Sequence, residues 1–336
     1  MNQSVLDTGS AVGDLAMGLF GDYVEVSFGD LGDMISKTKQ LIEARTPIIT
    51  EASFSIDGLF CSVDILKVFD ENVVELYEVK SSTSVHDIYY HDAAFQCCVL
   101  NKLGYKVRAC NIVHINNQYE RNGDLNINEL FTVEDITTDA MLLRRDVEAN
   151  IDEIREYIKQ TQEPTDDIGE YCFSPYTCGF FGYCSRHLPT PNIFDVAGAR
   201  TTTKFKCYRK GIVSFEDLNT CDLLSGAQYK QVEHELFNYP PYIDKESIRG
   251  FMKTISYPLY FLDFESFQPA IPLYDNSHPY EQIVFQYSLH YIEHEGGKLK
   301  HKEFLAYPGE DPRRKLAEQL CSDIPLNVCT TAYNMG

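Results

Sequence analysis

The chain has little that would carry it out of the cell or into a membrane. Its start, MNQSVLDTGS, lacks the basic and then apolar stretches of a secretory leader. No apolar run approaches the roughly 18 residues needed to span a bilayer. A cytoplasmic location with no membrane partner follows, and there the eleven cysteines stay reduced. Positive charge is also scarce: 29 Lys and Arg against 50 Asp and Glu give a net charge of −21. That shortage works against tight nonspecific binding to nucleic acid, which needs cations against phosphate. It leaves room for an enzyme that uses carboxylates to hold metal and confines its basic residues to one groove. Internal repeats and low-complexity tracts are absent, as are any cysteine before Cys61 and any histidine before His86. What remains is a globular composition, 44% hydrophobic and 24% charged over 336 residues. That length allows two domains or more, with a core large enough to need no disulfides.

The apolar spacing predicts a helix over 33–45, carried by Met34, Ile35, Leu41 and Ile42. Strands are expected at 50–56, 59–69 and 73–80, the first two joined by Asp57-Gly58, a strong hairpin signal. The Ser81–Ser84 cluster offers N-caps for a helix over 85–103, which Gly104 closes. A strand at 105–115 follows, with Cys97, Cys98 and Cys110 read as small buried hydrophobes. The order is helix, three strands, helix, strand: an α/β unit built on a strand meander. A helix over 141–162, a loop over 163–170 and a cysteine-bearing segment come next, and Pro189 and Pro191 mark a boundary. Short helices and loops fill 192–255. Within them, 200–210 holds Arg200, Lys204, Lys206, Arg209 and Lys210 with no acid. This one clear basic run is either a solvated strand or loop, or an edge that contacts phosphate. From Tyr257 the pattern is strand (258–266), strand (281–292), strand (299–307), helix (310–321), strand (326–333).

Side chains two apart on a strand share a face, so in 73-VVELYEVK-80 Glu78 and Lys80 point the same way. Counting back through the turn at 70–72 brings Asp64 within reach of Glu78 in an antiparallel register, give or take a residue. A carboxylate on each of two neighbouring strands is a hard oxygen site suited to Mg²⁺ or Mn²⁺. A fixed ammonium at Lys80 stabilises the charge that phosphodiester cleavage builds. A bound metal would lower the pKa of the attacking water and polarise the phosphate. On its own, E-x-K is more often a solvated face. An aspartate flanked by apolar residues, as in 63-VDIL-66, is less ordinary, because a buried carboxylate needs a partner.

The run from Thr50 to Val107 resembles the RecB-type branch of the PD-(D/E)XK nucleases, which includes the CRISPR-associated RecB-like exonucleases. The resemblance rests on Glu51 opening the first strand, Asp64 on the second, Glu78 with Lys80 on the third, and Gln96 in 92-DAAFQCCVL-100. It implies an αβββαβ, restriction-endonuclease-like core, with Asp64 and Glu78 on the metal and Lys80 catalytic. Gln96 would position substrate or the lysine, and Glu51 would be an additional site carboxylate. Relatives carry a histidine ligand on the helix before the strands. Here 9-GSAVGDLAMGLF-20 has Gly13 in that place.

The segment 172-CFSPYTCGFFGYC-184 spaces Cys172, Cys178 and Cys184 six residues apart. They read either as structural cysteines or, through the same resemblance, as three ligands of a 4Fe-4S cluster, with zinc as the substitute. The fourth ligand in such relatives lies near the N-terminus. Its absence here suggests a missing upstream segment, with Cys207 a conceivable replacement. In 260-YFLDFESF-267, Asp263 and Glu265 are two apart on an apolar strand and suggest a second, incomplete metal site. The D-x-E strand and the elements after it resemble a DnaQ-like exonuclease of the DEDD, RNase H-fold type, cut off at 332-AYNMG-336. The expected organisation is a nuclease domain over 1–190, a helical and basic linker over 191–255, and a partial RNase H-like α/β domain over 256–336. The implied activity is metal-dependent cleavage of DNA, single-stranded or at ends. Two alternatives stand beside it. One is a non-catalytic nucleic-acid-binding or scaffold module, the other a 3′–5′ exonuclease that works only through a complete DEDD domain.

Overall fold

Asp57 and Gly58 both take positive φ, 50° and 77°. A two-residue turn needs this to match the twist of the strands it joins. The hairpin they close belongs to a computed structural model that describes residues 3–333. Two compact units are present. One holds the described residues up to Tyr157 together with those from Ile255 on, and the other runs Ile158–Thr254.

The first unit opens with α1 (Gln3–Ala16), β1 (Val24–Glu25) and α2 (Leu31–Glu43), the last capped by the Asp30 side chain. The meander β2 (Ile48–Ile56), β3 (Leu59–Asp70) and β4 (Val73–Lys80) follows. Helix α3 (Asp87–Lys102) crosses over to β5 (Lys106–Ile115), which runs parallel to β4. Then come α4 (Ile127–Leu130), β6 (Phe131–Asp135) and α5 (Thr137–Tyr157). The strands form a mixed sheet in the order β1-β2-β3-β4-β5-β6. Helices α2, α3 and α5 pack on it through Ile42, Cys97, Cys98 and Val147, which meet Leu66 and Leu76 of the sheet. A second cluster joins Val12 and Ala16 of α1 to Ile65, Tyr77 and Val113.

One expectation about local structure needs correction here and one holds. The Ser81–Ser84 run does not cap α3; the N-cap is His86, without a side-chain bond, and the Ser82 hydroxyl instead donates to the Ser84 carbonyl. Residues 82–84 stay in the loop because two further residues, Val85 and His86, separate them from the first helical turn. Gly104, at φ 90°, does follow the helix end, one residue past the C-cap Leu103.

Also in the first unit, β7 (Leu259–Phe267), β8 (Ile283–Ile292), β9 (Lys300–Leu305) and β10 (Cys329–Ala332) make a second mixed sheet. Its order is β10-β7-β8-β9, with β10 parallel to β7. One further helix, Arg313–Asp323, links β9 to β10 and packs Leu316 against Tyr260, Tyr287 and Leu289.

The second unit contains α6 (Phe181–Cys184), α7 (Thr201–Arg209), α8 (Phe215–Leu218), α9 (Gly226–Leu236) and α10 (Lys245–Met252). The basic run is therefore helical over Thr201–Arg209 rather than a strand or loop. Phe205 and Tyr208, three apart, lie on one side of a helix; Phe205 packs edge-on with Phe173 and Phe194, Tyr208 lies tilted against Phe194, and that aromatic cluster fixes the helix. Among the described residues, no helix is long and apolar enough to cross a membrane.

Candidate active site

The site is built where the first sheet's pairing is interrupted. Strand β2 pairs with β3 through Thr50–Ile65 and again through Ala52–Val63, and Glu51 between them is left out. Its φ is 55°, a left-handed backbone in mid-strand. For a non-glycine residue that conformation costs about 1–2 kcal/mol. Pairing of β3 with β4 ends at Ile65–Tyr77, so Asp64 and Glu78 are the next residues on each strand. In place of a ladder bond, the Val79 N–H donates to Asp64 Oδ2 at 2.6 Å. The carboxylate has moved into the space the ladder vacates.

Glu78 is held from two sides. Lys80 Nζ donates to its Oε1 at 3.0 Å, and Gln96 Nε2 donates to its Oε2 at 2.6 Å. Gln96 thus orients the glutamate rather than the lysine. Lys80 is also bonded to Asp92 Oδ2 at 2.9 Å, and its ammonium lies 5.0 Å from the Tyr89 ring centre. The structure therefore brings together Glu51, Asp64, Glu78, Lys80 and Gln96, and adds Asp92 and Tyr89 from α3.

The acids strain one another. Burial, then the Glu78 charge, hold the Asp64 carboxyl well above the usual carboxylate range; Glu51 adds to this, while the Val79 N–H and Lys80 work against it. Glu51 is raised as well, by burial first and then by Glu25, Glu78 and Asp14, although the Ser62 hydroxyl bonded to it pulls the other way. Asp14 sits on α1 one residue after Gly13, so that helix contributes negative charge. Lys80 moves oppositely. Burial alone would favour the neutral amine, but Glu78 and Asp92 outweigh it and hold its pKa above the ordinary lysine value. With these two partners it is a cation at neutral pH.

These residues suit a hard divalent cation. Mg²⁺ is commonly held by one or two carboxylates, with water and substrate phosphate filling the remaining positions. Asp64 and Glu78 provide that pair, and Gln96 Oε1 is buried without a hydrogen-bond partner. As the side chains stand, with Lys80 and Gln96 on Glu78, no group of three or more His, Cys, Asp or Glu among the described residues is arranged to hold a metal.

The other expected sites are not gathered in this way. Asp263 and Glu265 lie exposed on β7, opposite Ser288 and Gln286, and their side chains make no hydrogen bond or ion pair among the described residues. Cys172 is buried while Cys178 and Cys184 are exposed, and the Cys178 N–H donates to the Cys172 carbonyl at 2.7 Å. The Cys207 sulfur is 3.8 Å from that of Cys221, in a different apolar cluster from the one that holds Cys172. In the basic run Arg200, Lys206 and Lys210 are exposed. Lys204 Nζ donates to the Phe194 carbonyl at 2.6 Å, and Arg209 pairs with Glu170 at 3.2 Å.

Asp92, Asp14 and Glu25 were not singled out from the sequence. Asp92 had a signal, since it lies four residues before Gln96 on one helix face. Asp14 and Glu25 had none, because only the tertiary fold brings them to Glu51.

A family model described as "Domain of unknown function (DUF2779)" matches residues 260–336, the part of the chain that holds the second sheet. Comparison with curated proteins and with solved structures returns no match.

Proposed function

We propose that the protein is a metal-dependent nuclease of the RecB, PD-(D/E)XK type, with its reactive centre at Asp64, Glu78 and Lys80. The observation that carries this reading is the crowding of Asp64, Glu51 and Glu78 beside a lysine kept charged. Buried acids that strain one another cost stability, and they are found where function needs them. The order α2-β2-β3-β4-α3-β5 supports the family assignment.

Asp64 and Glu78 would hold Mg²⁺ or Mn²⁺, and Glu51 would add negative charge behind them. The bound ion would supply phosphate polarisation and a lowered pKa for the attacking water. Lys80 would hold its ammonium against the phosphate as charge builds there. To do so it must leave Glu78, and Asp92 keeps it tethered meanwhile. Gln96 fixes the Glu78 carboxylate. Net charge of −21 favours unpaired strands or ends over extended duplex contacts.

The second sheet supports an RNase H-like reading of its own segment, since three antiparallel strands, a helix and a parallel fourth strand follow in that order. The lysine's present pairing supports a second function, a binding module in which Lys80 neutralises the acids for good.

Labelled single- and double-stranded DNA incubated with the protein and Mn²⁺, beside Lys80→Ala and Asp263→Ala, separates these readings. Cleavage by the wild type and Asp263→Ala but not by Lys80→Ala is expected. No cleavage with any divalent ion sinks the nuclease reading, and cleavage indifferent to Lys80→Ala moves the site elsewhere.

A further inference from the structure

The loop that follows Lys80 does not end at solvent. It forms one side of a cleft of about 620 Å³ whose other side is Pro279, Tyr280 and Glu281, from the segment between β7 and β8. The cleft is open rather than an enclosed cavity. Ser81, Ser82, Thr83, His86, Tyr89 and Tyr280 line it, the Ser82 hydroxyl being bonded to the Ser84 carbonyl and Tyr280 packing also against the apolar cluster beneath. Tyr89 is the residue whose ring also faces the Lys80 ammonium, so cleft and reactive centre are continuous.

The far wall is held in place deliberately. Tyr280 has φ 60°, a left-handed backbone rare for an aromatic residue. It is fixed at both ends: its hydroxyl donates to the Ser81 carbonyl, and its N–H donates to the Pro269 carbonyl. Nearby, Ala270 and Ile271 enter the apolar cluster under β4 and β5. The one acid on that wall, Glu281, accepts the His278 N–H at 2.9 Å, so part of its charge is engaged within its own turn. Strain that surrounding contacts hold in place is characteristic of ligand-binding sites.

We infer that this cleft is a subsite for an unpaired nucleobase next to the scissile phosphate, completed by the segment between the second sheet's first two strands. The inference rests on the nuclease reading for its neighbour, Lys80, but its own chemistry is stacking. Aromatic rings accept any base on its π-face and need little positive charge, which suits so acidic a chain. A duplex cannot offer a base in this way without unpairing it. The site would then take single strands, DNA or RNA, and would be incomplete without residues 279–281.

The test is binding without cleavage. Fluorescein-labelled oligo-dT and the matching oligo-U, each with a duplex control, are titrated with the full chain in EDTA and followed by anisotropy. Both His86→Ala and Tyr280→Leu are expected to weaken single-strand binding roughly tenfold, the size of one lost stacking contact. Tyr280→Phe keeps the ring but loses the hydroxyl tie to the Ser81 carbonyl, and should bind more tightly than Tyr280→Leu. Thermal melts identify any variant that fails to fold; if Tyr280→Leu does, His86→Ala and Tyr280→Phe decide. The subsite is overturned if the wild type binds neither oligonucleotide, if folded His86→Ala and Tyr280→Leu bind as wild type, or if Tyr280→Phe loses as much as Tyr280→Leu. A difference between the dT and U arms assigns DNA or RNA. Cleft-dependent binding by a wild type that cleaves nothing in Mn²⁺ keeps the subsite and removes the catalytic reading.

Discussion

Asp64 in the first sheet and Asp323 beside the second are both withdrawn from water, and their surroundings treat them oppositely. Asp323, 7% exposed, accepts the Tyr287 hydroxyl at 2.6 Å and the Lys302 ammonium at 2.8 Å. Burial would raise its pKa, but these partners outweigh burial and hold it below the ordinary value. Asp64 has burial and two more acids against it, which outweigh one backbone N–H and the Lys80 charge, and it rises. One aspartate is a fastened structural joint. The other is left electrostatically short, which is the condition under which a cation binds tightly. The difference teaches that burial of an acid says little until its partners are counted.

The largest expected break in this comparison is catalytic. Lys80→Ala should lower Mn²⁺-dependent cleavage by about 10²–10³-fold, the usual cost of one transition-state donor. Asp263→Ala, at an exposed position on β7, should change it by no more than about twofold. Reversed results would move the reactive centre to the second sheet. Next comes the metal. At about a hundredfold excess over its Kd, Mn²⁺ should raise Tm by roughly 5–10 °C. Calorimetry should show that gain lost in Asp64→Asn and kept in Asp263→Asn.

Smaller effects follow without metal. Asp323→Asn should cost about 1.5–3 kcal/mol by urea titration, since it removes hydrogen bonds to a charged group. Asp64→Asn should leave stability unchanged or increase it. The smallest effect is in the pH profile, and the two aspartates give it opposite signs. Asp64 and Glu51, raised, bind more protons folded than unfolded, so their contribution falls as pH climbs from the ordinary carboxylate range through their raised values. Asp323, lowered, contributes stability that is full above the ordinary carboxylate range and lost as pH falls through its depressed value. Asp64→Asn should flatten the loss on the higher-pH side, and Asp323→Asn the loss on the acid side.

Much of the first sheet was legible because strand period and turn chemistry agree there. Asp57-Gly58 fixed one hairpin, the turn at 70–72 fixed the next, and together they set Asp64 beside Glu78. The element order of the second sheet was legible for the same reason. Other features depend on distant contacts and left no local trace. The helix at Thr201–Arg209 is settled by Phe173 and Phe194, nearly thirty and ten residues away in sequence (roughly, by residue number). The partners of Asp323 lie on β8 and β9. The left-handed turn at Glu51 sits inside an otherwise ordinary strand pattern, where propensity gives no warning of it.

The tie from Tyr280 to Ser81 joins positions 199 residues apart. At ordinary rates of synthesis, about 5–20 residues per second, roughly ten to forty seconds separate the making of those two residues. Throughout that interval a growing chain already carries Asp64, Glu78 and Lys80, yet has only half of the cleft beside them. A chain stopped short, or clipped before residue 279, would hold the acids and the lysine without the far wall of the cleft.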